Sequence, residues 1–168
     1  MKRLVFFTIF FVLLSLLPQV ALAGGWHSYA SEEGPYKVLF PADPTTEVED
    51  RDAGMSYKVS ATAADVLFFV GLTIHREPIE GVTPYDLAQV SLESFTEQLG
   101  GVTTSEADWK VGKNMGRGAT IVVEGQDITM EYRAVLIGQR QYQVVAGGAT
   151  ADLDSKTIKK FIKSFRAK

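Results

Sequence analysis

Between Ala119 and Gly147 the chain runs through three strand-like stretches, "ATIVVEG", "ITMEYRAVLI" and "QYQVVAG". Only Gly125-Gln126-Asp127 and Gly138-Gln139-Arg140 separate them. Ile128, Met130, Tyr132, Ala134 and Leu136 share one face of the middle stretch, while Thr129, Glu131 and Arg133 point the other way. Links this short permit only antiparallel neighbours, because a parallel crossover needs about a dozen residues or more. The period of two predicts a sheet with one packed face and one wetter face. Any fold for this chain is built around that meander.

The segments before it add strands. Tyr36, Val38 and Phe40 alternate with Lys37 and Leu39, and Pro41 and Pro44 must end that strand or confine it to an edge. "GGWHSYASEEG" ahead of it is an extended lead-in with a turn at Ser31 to Pro35. Arg51 to Gly54 is a turn signal into "MSYKVSATA", and Ala64-Asp65 turns the chain into "VLFFVGLTIH", a largely buried strand. "TTSEADWKVG" has a weaker strand pattern, and Gly112 to Gly118 ("GKNMGRG") reads as a connecting loop whose glycines permit positive φ.

Two helices punctuate this order. Thr83 caps the first, Pro84 suits its first position, and Asp86 complements its dipole. Leu87, Val90, Phe95 and Leu99 form its apolar stripe, and Gly100-Gly101 stop it. Gly147-Gly148 release the chain toward the second helix, capped by Asp152 or Asp154. There Ile158, Phe161, Ile162 and Phe165 fall on one side, with Lys156, Lys159, Lys160, Lys163 and Arg166 opposite. Strands, helix, strands and helix with short links define an α+β fold, an antiparallel sheet covered by helices.

The first residues are expected to be removed before folding, the alternative being an N-terminal anchor that is not cleaved. Lys2 and Arg3 precede an apolar run from Leu4 to Leu17, and Ala21-Leu22-Ala23 supplies the small residues of a signal-peptidase site. The cut falls between Ala23 and Gly24, and the protein is expected to be exported to the periplasm or beyond. The absence of cysteine excludes a lipid anchor at that cut, disulfides, thiol catalysis and thiolate metal sites. Residues 24–168 then form one globular domain, within the usual ~100–150-residue range.

These residues resemble the PsbP-like family, the extrinsic photosystem II subunit and its bacterial exported relatives. One part of the pattern is Trp26, Tyr29, Gly34, Tyr36, Val38, Phe40, Pro41 and Pro44. A second is "YRAVLIGQRQYQVV", with Arg133, Gly138, Arg140 and Tyr142, and a third is the terminal "FIKSF", with Phe161, Ser164 and Phe165. The resemblance implies an α/β/α sandwich around an antiparallel sheet. It also implies a non-catalytic accessory or assembly role, with no cofactor and no catalytic motif to carry over.

The residues themselves point the same way. There is no G-x-S-x-G elbow, and the only histidines, His27 and His75, lie far apart in sequence. Ser28 adjoins His27, but neighbours on an extended chain point apart. No short His or carboxylate spacing supports zinc. The acidic run Glu47, Glu49, Asp50 and Asp52 lacks the ligand order of a calcium loop and reads as a solvated hairpin. "GKNMGRG" matches neither dinucleotide nor P-loop spacing.

The net charge of −3 conceals a division between an acidic body and a wholly basic tail, "KTIKKFIKSFRAK". An acidic body excludes nucleic acid as the expected partner, because phosphate binding needs a broad positive face. The basic helix is a candidate docking stripe for an acidic envelope protein or for anionic head groups at a membrane surface. Arg133 and Arg140 on the wet face are candidate contacts beside it. Trp26 and Tyr29 are expected to clip the N-terminal segment onto the sheet. The leading expectation is a non-enzymatic exported accessory protein. The alternative is a periplasmic carrier or sensor holding a small apolar or anionic ligand between sheet and helix.

Overall fold

The structure, a computed structural model, describes residues 25–149, 151, 153 and 155–168. The proposed leader and the expected caps Asp152 and Asp154 lie outside the described residues. A seven-stranded sheet, antiparallel throughout, forms the middle layer. Its strands are β3 (Thr45–Arg51), β4 (Gly54–Ala63), β5 (Val66–His75), β6 (Val102–Val111), β7 (Asn114–Val123), β8 (Ile128–Ile137) and β9 (Arg140–Ala149). They lie in the order β3-β4-β5-β9-β8-β7-β6, so two meanders meet where β5 pairs with β9. A second, three-stranded sheet consists of β1 (His27–Ala30), β2 (Tyr36–Phe40) and β10 (Arg166–Ala167), with β2 in the centre.

Helix α1 (Pro84–Leu99) covers one face of the large sheet; α2 (Lys156–Ser164) and the small sheet cover the other. The α+β, α/β/α arrangement expected from the sequence is the one observed. Thr83 caps α1 by accepting from the Asp86 amide at 3.1 Å, and its own hydroxyl donates to the Asp86 carboxylate at 2.7 Å. Gly100, at φ 61°, closes the helix in the left-handed conformation that glycine adopts without a Cβ penalty.

The apolar stripe of α1 differs from the expected one. Ala88, Ser91, Leu92 and Phe95 are buried, whereas Val90 is 48% exposed. At 100° per residue Val90 lies almost opposite the row through 88, 92, 95 and 99. Phe95 stacks near Tyr132 at 4.8 Å between ring centres, and Ile121, Met130, Ala134 and Val145 complete that core. The other core centres on Phe161, 5.3 Å from Phe40 and 5.2 Å from Phe68.

Several further expectations are corrected. Tyr36–Phe40 does end before Pro41, but it belongs to the small sheet and is its middle strand, not an edge. "GKNMGRG" is not a loop: only Gly112 and Lys113 turn, and Asn114 to Gly118 open β7. Within that stretch Gly112 alone has a positive φ. Gly147 and Gly148 lie inside β9 and do not release the chain. The wetter face is wet only locally, because the small sheet buries Val135 on the same side as Glu131 and Arg133.

Candidate functional site

Helix α2 is short and strongly two-faced. Ser155 caps it, accepting from the Ile158 amide at 3.2 Å. Ile158 and Phe161 are buried, Ile162 is half-buried, and Lys156, Lys159, Lys160 and Lys163 are exposed. The helix contains no acidic residue. It stops at Ser164, whose hydroxyl donates to the Phe161 carbonyl at 2.7 Å and accepts from the Leu39 amide at 2.9 Å. The apolar face is thereby fixed inward and the lysines outward.

The basic residues do not form one uniform stripe. Arg166 lies in β10, beyond the helix, and its Nη1 donates to the carbonyls of Lys163 at 2.5 Å and Phe165 at 2.7 Å. It therefore complements the negative end of α2. Lys160 stands 4.2 Å over the Trp26 ring, a cation–π contact that helps hold the N-terminal segment. Trp26 and Tyr29 both pack against the core, as the clip expected from the sequence.

A groove of about 440 Å³ separates α2 from β7 and β8. Thr120, Glu131, Arg133, Lys159 and Lys163 supply its polar atoms, and Leu153, Ile158 and Ile162 its apolar wall. Arg133 is held tightly there. Its Nη2 lies 2.6 Å from a Glu131 oxygen, and its Nη1 donates to the Tyr132 carbonyl at 2.7 Å and more weakly to that of Ala119 at 3.4 Å. The second Glu131 oxygen accepts from the Thr120 hydroxyl at 2.8 Å. Gly118 faces Arg133 in the β7–β8 register, and a Cβ there would sit 2.6 Å from the arginine Cδ. That glycine makes room for the guanidinium, a role invisible while the segment reads as a loop.

Arg140 does not join this group. Arg133 lies opposite Val144 on β9, four positions from Arg140. At ~3.4 Å per residue the two backbones are ~14 Å apart along the strand. Arg140 stands half-buried beside Ile74 and Ile137 at the far end of the sheet.

Elsewhere the candidate residues stand in local contacts. His75 is 6% exposed, with Nε2 3.2 Å from the Gln141 amide oxygen, and burial pushes its pKa below the ordinary imidazole value. His27 lies on the small sheet, 3.7 Å from Asp43. Glu47, Glu49 and Asp50 of the acidic run lie on edge strand β3, where alternate residues face opposite ways, and Asp52 lies in the turn that follows. Glu47 pairs with Lys58 at 3.6 Å, Glu49 with Arg51 at 2.5 Å, and Asp50 with Arg76. Among the described residues no group of three His, Asp or Glu side chains could hold a metal ion, and no helix is long and apolar enough to cross a membrane.

Two polar clusters on the α1 side escaped the sequence reading. Ser91 Oγ lies 2.7 Å from Tyr132 Oη, and Gln143 donates to both, at 2.8 and 3.1 Å. Burial raises the Tyr132 pKa, so the hydroxyl stays neutral as a bridge between helix and sheet. Arg117 donates to Gln89 at 2.6 Å, Tyr85 at 2.8 Å and Asp108 at 3.0 Å, and pairs with Glu106. Both clusters tie α1 down.

This two-helix sandwich around an antiparallel sheet, with a small sheet of β1, β2 and β10 beside it, has a PsbP-like fold. It is similar to the solution structure of cyanobacterial PsbP (CyanoP) from Synechocystis sp. PCC 6803. That match has a TM-score of 0.60 and 10% identity, covering 92% of this chain and 99% of that one. A crystal structure of PA94 from Pseudomonas aeruginosa, a protein of unknown function, matches at a TM-score of 0.44 and 18% identity, over 77% of this chain and 87% of that one. No family model matches the chain, and no curated protein matches it in sequence.

Proposed function

We propose that this chain is an exported, non-enzymatic accessory protein that docks onto an acidic surface of another cell-envelope protein. The observation that carries the reading is the outward row of Lys156, Lys159 and Lys163 on a helix that has no acidic residue and whose apolar side is locked into the core. A solvated helix face normally mixes both signs of charge, and one basic residue near the C-terminus suffices for the dipole. Arg166 already fills that role. The leader-like pattern from Lys2 to Ala23 supports export. The PsbP-like fold fits an accessory role without specifying one.

Docking of this kind acts through complementary charge, which sets encounter rate and orientation more than raw affinity. The test is capture of a partner from native envelope extract on immobilised mature chain, with elution by a sodium chloride gradient. Release at moderate salt supports the reading. Retention through ~1 M salt, where the screening length is only ~3 Å, contradicts it.

A further inference from the structure

We infer that the groove between α2 and β7–β8 receives one carboxylate side chain of the docking partner, with a neighbouring apolar residue of the partner resting on Leu153 and Ile162. This rests on the docking reading above and specifies the chemistry that the groove recognises.

Among the described residues, Arg133 and Lys163 line the groove as cations beside one carboxylate, Glu131, and Lys159 stands next to them in a contact of its own. Arg133 is pre-oriented by Glu131, by two carbonyl oxygens and by the space above Gly118. Those bonds engage three of the five N–H donors that a guanidinium carries, leaving two for a second acceptor. A carboxylate entering beside Glu131 meets an arginine already in place, flanked by Lys163 on a flexible stem that can close over it. Half-buried Leu153 and Ile162 at the lip favour an apolar neighbour over a second charge.

The shape also selects the class of partner. The groove is a recess, whereas head groups present a plane. The apolar residues of α2 that a membrane-binding helix inserts, Ile158 and Phe161, are 1% and 0% exposed here. An extended acidic segment of a protein can place a single side chain into such a recess.

Glu131 then acts as a guard. It competes for Arg133 and lowers the local positive charge, so that removing its charge strengthens anion binding.

The test is fluorescence anisotropy at low salt with the mature chain and a fluorescein-labelled peptide alternating Glu and Leu, beside the same peptide with Gln for Glu. Circular dichroism and melting of each variant confirm folding. The expected results are at least tenfold weaker binding of the Glu peptide by Lys159→Gln/Lys163→Gln, and a several-fold gain for Glu131→Gln. The control Lys113→Gln, in the β6–β7 turn, is expected to change less than twofold, and the Gln peptide to bind at least tenfold more weakly.

Unchanged binding in both groove variants, with loss only in Lys156→Gln, overturns the groove while leaving docking by the helix intact. Equal binding of the Gln peptide overturns the carboxylate. Binding of free decanoate as tight as the peptide replaces the partner with a carried ligand. Binding to anionic phosphatidylglycerol vesicles, lost in the same variants and stronger than to the peptide, replaces it with a membrane. No binding of any probe by the unmodified chain overturns the inference; salt-sensitive partner capture judges the docking reading separately.

Discussion

The Ser164 hydroxyl accepts a hydrogen bond from the Leu39 amide at 2.9 Å, across 125 positions of sequence. This contact joins the end of α2 to the middle strand of the small sheet. With Phe161 packed between Phe40 and Phe68, it fixes which face of the helix meets solvent. The basic surface is therefore a consequence of how α2 is bolted down. Ser164→Ala leaves a partly buried amide without its acceptor, and is expected to lower stability by about 1–2 kcal/mol in urea unfolding, with the fold retained.

Lys160 belongs to the scaffold as much as to the surface. Lys160→Gln removes the charge over Trp26 and is expected to cost less than about 1 kcal/mol, whereas Trp26→Ala costs more because buried aromatic area is lost as well. The two melting curves, with the double variant, test this. A strictly additive double variant contradicts a direct interaction.

Gly118→Val is expected to push the Arg133 side chain out of place, since even a Cβ approaches its Cδ to 2.6 Å. The expected cost is about 1–3 kcal/mol, accompanied by weaker acidic-peptide binding. Gly118→Val/Arg133→Ala should recover much of the stability and none of the binding. That split separates a steric cause from a simple loss of strand propensity.

The pH dependence has a definite sign. The folded His75 pKa lies below its unfolded value, so the unfolded chain binds the proton more readily. The stability from keeping this imidazole neutral is fully present above ~6.5 and declines as pH falls toward the depressed folded pKa. Unfolding free energy followed from pH 7.5 downward should therefore fall, with a shallower slope in His75→Gln. An identical slope in the variant contradicts the assignment.

The legible parts of this fold were those with local punctuation. Thr83, Pro84, Asp86 and Gly100 mark both ends of α1 within the sequence itself, and alternation through β8 separates its two faces. Strand β3 was obscured because its acidic residues are poor strand formers; it tolerates them as an exposed edge paired on one side. The start of β7 was obscured by Gly116 and Gly118, which read locally as loop and are required by neighbours on β8. Val90 falls outside the packed row because a three-residue spacing from Leu87 mimics a helical stripe without fixing which face meets the sheet. For the candidate site, the basic face of α2 was legible from its period. The pairing of Arg133 with Glu131, the seat of Lys160 on Trp26 and the remoteness of Arg140 depend on strand register and on contacts between the chain ends.

The central claim, docking through the outward lysines of α2, is tested most directly by charge reversal. Lys156→Glu/Lys159→Glu/Lys163→Glu leaves Lys160 on Trp26 and the Ser164 bond in place, so the fold should survive, as circular dichroism can verify. Partner capture from native envelope extract is then compared between this variant and the unmodified mature chain. A partner retained by the unmodified chain and lost by the folded variant is the expected result. Equal retention by both contradicts the claim.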